Sequence, residues 1–170
     1  MTHSRTKTLV LSAVFIAVIF ISITLLGVPN GLGGFIHFGD ALIFIAAALL
    51  PKPFAMVVAA LGPGLFNLVR GPQWFIFTII IKPIMTLCFN NKSPKILGCK
   101  QNIIAPFAAG LINTGLYFIA NIILFGGVAA GIAAVPALLI QGAGSVAFYF
   151  IIAAALDKLK IKSKLGALSL

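Results

Sequence analysis

Long apolar stretches alternate with short polar or glycine-rich breaks along most of this 170-residue chain. They run from Thr8 to Val28, Phe38 to Leu50, Phe54 to Val69, Trp74 to Phe89, Ile103 to Phe125 and Val135 to Leu156. The longest match the roughly 20 residues that a helix needs to cross a bilayer, and a helix satisfies every backbone polar group internally where no water is present. The pattern predicts an all-α integral membrane protein: one domain over residues 1–170, with six transmembrane helices over 8–28, 38–50, 54–69, 74–89, 103–125 and 135–156.

Two of these segments are imperfect. Phe38 to Leu50 would rise only about 20 Å, short of the roughly 30 Å hydrocarbon core. Phe54 to Val69 carries Gly62-Pro63-Gly64, which is expected to break or kink it. The second and third helices are therefore expected to form a short irregular hairpin about Pro51-Lys52-Pro53, shielded by its neighbours.

Composition strengthens the membrane assignment. Hydrophobic residues make up 61% of the chain and charged residues 8%, against about a quarter charged in soluble proteins. The net charge of +10 is distributed unevenly. With the N-terminus in the cytoplasm, six spans place ten basic residues inside (Arg5, Lys7, Lys52, Lys92, Lys95, Lys100, Lys158, Lys160, Lys162 and Lys164) and only Arg70 in an outside loop. That bias assigns both termini to the cytoplasm. The positive charge then reflects topology and attraction to anionic lipid in the bilayer, and no nucleic-acid partner is expected. The first apolar run is too long for a cleavable signal peptide and lacks a convincing cleavage site.

Three apolar helices carry polar or aromatic residues at a spacing of four, which keeps each series on one face. These are Trp74, Thr78 and Lys82 in the fourth, Asn113, Tyr117 and Asn121 in the fifth, and Gln141, Ser145 and Tyr149 in the sixth. Trp74, Thr78, Tyr117, Asn121, Gln141 and Ser145 fall in the outer half, with Asn113 and Tyr149 deeper. Such residues often only bond one helix to another, and a tryptophan at this depth also suits the interfacial belt. Three series meeting at one depth predict an outward-facing pocket instead.

The chain has two acidic residues. Asp157 sits in a polar tail, whereas Asp40 closes the glycine-rich loop Gly31-Leu32-Gly33-Gly34-Phe35-Ile36-His37-Phe38-Gly39. A carboxylate there must be solvated, paired or used on a ligand. Lys82, about 12 Å along its helix from Trp74, needs a partner too: Asp40, a ligand, or carbonyls freed by Pro83 and by the third helix. His37 is a candidate hydrogen-bonding group for a heterocycle.

Enzymatic readings find little support. There is no Walker motif and no HExxH. His3 and His37 are the only histidines, and Asp40 has no second acid beside it, so no catalytic residue, metal or cofactor is expected. Cys88 and Cys99 have no CxxC or metal-ligand partners.

The outer stretch Gly34-Phe35-Ile36-His37-Phe38-Gly39-Asp40-Ala41 and the small-residue pair in Ala13-Val14-Phe15-Ile16-Ala17 resemble those of the substrate-binding S component of an energy-coupling factor (ECF) vitamin transporter. The resemblance covers the whole chain as an architecture. It implies a subunit in a bacterial plasma membrane that captures a vitamin from outside. It also implies a separate ECF module, one transmembrane coupling subunit plus two ATPases, with Ala13 and Ala17 at the contact. Small side chains there permit close helix approach, though packing within the subunit would use them equally well.

Within that family the His-Phe-Gly-Asp stretch is most similar to members assigned to hydroxymethylpyrimidine, with pyridoxine-type relatives close by. Trp74 or Tyr117 could stack on such a ring, while Asp40, Asn121, Gln141 and Ser145 could read its nitrogens and hydroxyls. Riboflavin fits less well because few aromatics fall in the outer half. Thiamine or pantothenate, a self-sufficient permease, and a scaffold that binds no solute are the alternatives.

Overall fold

Backbone groups that cannot reach water must pair with each other, and the described residues do so almost entirely in helices. The computed structural model describes residues 2–30 and 34–166. Helix α1 spans Thr2–Leu26, α2 Gly39–Leu49, α3 Lys52–Arg70, α4 Phe75–Thr86, α5 Lys100–Phe125, α6 Val128–Lys158 and the short α7 Ile161–Leu165. Between α1 and α2, β1 (Val28–Pro29) pairs antiparallel with β2 (Phe35–Ile36). Gly31, Leu32 and Gly33 of the glycine-rich loop lie outside the described residues. One end of the bundle, the loop end, carries this hairpin, a 3₁₀ turn at Pro72–Trp74 and the α5–α6 turn; the tail end carries residues 87–99 and α7.

Among the described residues, helices α1, α3, α5 and α6 contain four segments long and apolar enough to cross a bilayer: Ser4–Leu26, Lys52–Arg70, Lys100–Phe125 and Val128–Lys158. The other two of the six expected spans are shorter, with 11 residues in α2 and 12 in α4. Their brevity has a physical explanation in α2. Every residue of that helix except Leu42 is buried, and it contacts α1, α3, α4 and α6. A helix surrounded by protein does not have to match the thickness of the hydrocarbon. Large apolar side chains such as Leu9, Val14, Leu25, Leu111, Ile123, Ile140 and Ile151 instead point outward from the long helices, an exposure suited to lipid rather than water.

The break expected in the third helix is not observed. α3 continues through Gly62-Pro63-Gly64. These residues serve packing on two sides: a Cβ on Gly62 would stand 2.8 Å from Ile19 Cγ2 of α1, and one on Gly64 3.0 Å from Ile79 Cγ2 of α4. Small side chains let three helices approach closely, and neighbouring helices make an intramembrane proline tolerable. Likewise α6 begins at Val128 and runs through Pro136, so the expected loop before residue 135 shrinks to Gly126-Gly127.

Asp157, in the polar tail, is tied to the segment before α5. Its two carboxylate oxygens accept the backbone N–H groups of Ile96 (2.7 Å) and Leu97 (2.8 Å). Beside it, fully buried Asn102 accepts from Asn90 N (2.7 Å) and donates to Asn90 O (2.8 Å) and Ile96 O (2.9 Å). Tyr149 donates to Asn102 O at 3.0 Å. These bonds replace the secondary structure that residues 87–99 lack and close the tail end.

Candidate functional site

Asp40 stands in the first turn of α2, where a negative charge is favourable to the helix dipole. It is 1% exposed, so its charge requires partners. Lys82 Nζ donates to Oδ1 at 2.7 Å and Gln141 Nε2 donates to Oδ2 at 2.9 Å. Lys82 also donates to Asn113 Oδ1 at 2.9 Å and lies 5.2 Å from the centroid of the Tyr117 ring. One carboxylate thus ties together α2, α4 and α6, and its cation extends the network to α5. Of the partners open to Lys82 in the sequence, the structure selects Asp40 and adds Asn113.

A second polar chain lies nearer the loop end. Asn67 Nδ2 of α3 donates to Thr78 Oγ1 at 2.6 Å, and Thr78 Oγ1 shares a 2.7 Å hydrogen bond with the Tyr117 hydroxyl. One turn further along α5, Asn121 Nδ2 donates to Tyr117 O at 2.7 Å. The Trp74 ring is tilted against Tyr117 and Phe125, with centroids 5.8 and 5.9 Å away.

The hairpin segment lies over these groups. Phe35 meets Phe66 edge-on at 5.1 Å. Phe38 stacks on Phe148 at 4.7 Å and occupies the space a side chain at Gly144 would fill. Gly39 N donates to His37 Nδ1 at 3.2 Å, so the neutral ring carries its proton on Nε2. Burial pushes His37 down to about 4, with Asp40 opposing the shift and Lys82 adding to it.

Together these elements enclose a cavity of about 600 Å³, including the part open to solvent. Of the residues singled out from the sequence, His37, Trp74, Thr78, Lys82, Tyr117, Asn121 and Gln141 line it. Asp40 and Ser145 do not: Asp40 sits behind Lys82 and Gln141, and Ser145 is fully buried one turn below Gln141 on α6. The wall also includes Asn30, Phe35, Phe66 and Asn67, which sequence reasoning did not single out. Asn67 was visible as a lone carboxamide in the apolar Phe54–Val69 run, whereas Phe35 and Phe66 carry no sequence mark that separates them from lipid-facing phenylalanines.

The site therefore offers aromatic faces, carboxamides and one ammonium already paired with a carboxylate. Among the described residues, no three His, Cys, Asp or Glu side chains come together as a metal site. On the far side of α1, Ala13 and Ala17 are exposed and, with Ile16, Phe20, Leu65, Leu68 and Val69, line an apolar groove between α1 and α3. A family model described as "ECF-type riboflavin transporter, S component" matches residues 3–158 of the chain. No curated protein matches it.

Proposed function

The chain belongs to the family of ECF-type riboflavin transporter S components, and from that premise we propose that its cavity captures a small planar nitrogen heterocycle of the vitamin class. Membership makes the chain a non-catalytic substrate-binding membrane subunit that works with an ECF module of coupling subunit and ATPases. The observation that carries the ligand class is the cavity wall. Trp74 and Tyr117 provide ring faces, and Asn67, Asn121, Gln141, His37 and Lys82 provide directional polar groups. Such a wall suits an uncharged ring edged with nitrogens and hydroxyls.

Within that class the ligand is hydroxymethylpyrimidine or a pyridoxine-like ring. The resemblance carried by His37-Phe38-Gly39-Asp40 supports that choice. Riboflavin is the second reading, favoured by the description of the matching family. The scarcity of aromatics that counted against it is less severe in three dimensions, since Phe35 and Phe66 join Trp74 and Tyr117 in the wall. Asp40 acts from behind by holding Lys82 and Gln141 in place, and Ala13 and Ala17 form the contact with the coupling subunit.

The loop end faces outside and both termini lie in the cytoplasm, a placement supported by the lysines concentrated at the tail end. The deciding experiment measures binding and uptake of labelled hydroxymethylpyrimidine, pyridoxine, riboflavin, thiamine and pantothenate with and without the ECF module. The expected result is one-ring ligand binding to the purified chain and uptake only with the module. Module-independent uptake would reject this reading in favour of a permease, and tight binding of riboflavin alone would select the second ligand.

A further inference from the structure

We infer that Asn121 reads a hydrogen-bond donor on the ligand, so that the ligand must bring an N–H or O–H on the ring edge that enters beside α5. This rests on the proposed role of the cavity as a heterocycle site and adds a chemical requirement to it.

The amide of Asn121 has a fixed orientation. Its Nδ2 donates to Tyr117 O at 2.7 Å, and a backbone carbonyl can only accept. Oδ1 must therefore point away from that bond. It is buried, lines the cavity through its residue, and has no hydrogen-bond partner. Native proteins rarely leave a buried acceptor unpaired, because its lost hydration is not replaced.

The neighbouring wall residues direct their observed hydrogen bonds to groups other than Asn121. Asn67 Nδ2 is on Thr78, Gln141 Nε2 is on Asp40, and two of the three Lys82 protons are on Asp40 and Asn113. Ser145 Oγ is also buried without a partner, but a hydroxyl can rotate and Ser145 does not line the cavity. Asn121 Oδ1 is thus a fixed, unpaired acceptor on a residue of the cavity wall.

The opposite polarity is found elsewhere in the same wall. His37 Nε2–H and the remaining Lys82 proton are donors, suited to ring nitrogens or carbonyl oxygens. The complementary ligand presents a donor to Asn121 and an acceptor to His37 or Lys82. An amino group next to a ring nitrogen has that arrangement, and so does an imide N–H flanked by carbonyls. The requirement is met by hydroxymethylpyrimidine and by riboflavin, and it excludes analogues of either stripped of the N–H. Sites built to bond such a group discriminate strongly against analogues lacking it.

The test uses the purified full chain and two ligand pairs: aminohydroxymethylpyrimidine against the same ring without its amino group, and riboflavin against its N3-methyl derivative. For whichever parent binds, the donor-less member is expected to bind about 10- to 100-fold more weakly. Asn121→Leu is expected to abolish that ratio by weakening the parent alone. Equal wild-type affinities within the pair, or a ratio that survives Asn121→Leu, would overturn this inference while leaving the heterocycle site intact. Failure of both parents and of pyridoxine to bind would overturn the site and the inference together, and binding of pyridoxine alone, which lacks the amino and imide N–H groups, would overturn the inference and keep the site. If Asn121→Leu does not fold, the wild-type ratio alone decides.

Discussion

Asp40 and Gln141 are separated by 101 positions in the chain and by 2.9 Å in the fold, where the Gln141 amide donates to one carboxylate oxygen of Asp40. The other oxygen receives Lys82 at 2.7 Å. Two wall residues on different helices thus owe their positions to one side chain outside the wall. In a cavity of this kind, recognition depends on groups that never touch the ligand, as outer-layer hydrogen bonds set the orientation of the inner ones.

Removing that carboxylate is expected to cost stability as well as binding. Both partners are about 2% exposed, and breaking a buried pair from one side typically costs about 3–5 kcal/mol because the remaining charge is stranded. Asp40→Asn and Lys82→Met should each lower thermal stability in detergent, while the double variant should recover much of the loss. A double variant no more stable than the sum of the two single losses predicts would show that the pair is not coupled.

His37 gives a pH dependence with a definite sign. Its folded-state value of about 4 lies below the ordinary 6.5 because burial disfavours the imidazolium. Between these values the unfolded chain binds a proton that the folded chain does not, so stability rises with pH across the window. It is fully present above the upper value and lost as pH falls toward the lower one. Melting temperatures recorded through the window should slope upward in the wild type, and more shallowly in His37→Gln. Equal slopes would mean that His37 titrates normally.

The hairpin segment is held down by Phe38, and its seat is made by an absent side chain. A Cβ added at Gly144 would fall 2.3 Å from Phe38 Cε1, nearer than side-chain atoms approach. Gly144→Ala should therefore lift Phe38 from its stacking on Phe148 and loosen the segment that carries His37. The expected result is ligand dissociation faster by about tenfold, with little change in the fold of the helices, because most affinity changes appear in the dissociation rate. Stopped-flow release measurements on Gly144→Ala and Phe38→Ala should agree in direction; unchanged rates in both would show that this anchor does not restrain the ligand.

Much of this arrangement is legible in the sequence for a physical reason. Isolated polar residues in apolar helices must face protein, so the spacing of Trp74, Thr78 and Lys82, or of Asn113, Tyr117 and Asn121, already fixes which sides turn inward. Phenylalanines carry no such constraint, since lipid and core are alike to them, and Phe35 and Phe66 could not be sorted from the others. Gly62-Pro63-Gly64 misleads because the rules for chain breaks come largely from helices in water. There a proline exposes unpaired backbone, whereas here the same residues admit α1 and α4 at close range. The role of Asp157 is hidden for a different reason: its partners at Ile96 and Leu97 lie on a segment without regular structure, which no periodicity announces.

The last expectation concerns the outer face of α1. Ala13 and Ala17 could have been small to allow packing inside the subunit, but both are exposed, in an apolar groove continued by Leu65, Leu68 and Val69 of α3. Where lipid removes the hydrophobic incentive to associate, close backbone approach supplies the contact energy, and a larger side chain at the crossing prevents it. Ala13→Leu combined with Ala17→Leu should leave ligand binding by the isolated chain unchanged, because the groove and the cavity lie on different surfaces. Co-purification with the ECF module and module-dependent uptake should both fall by about tenfold or more, because close approach of the partner helix is blocked. Retained assembly with both leucines in place would move the coupling interface away from α1. Loss of ligand binding along with assembly would instead mean that the groove supports the fold.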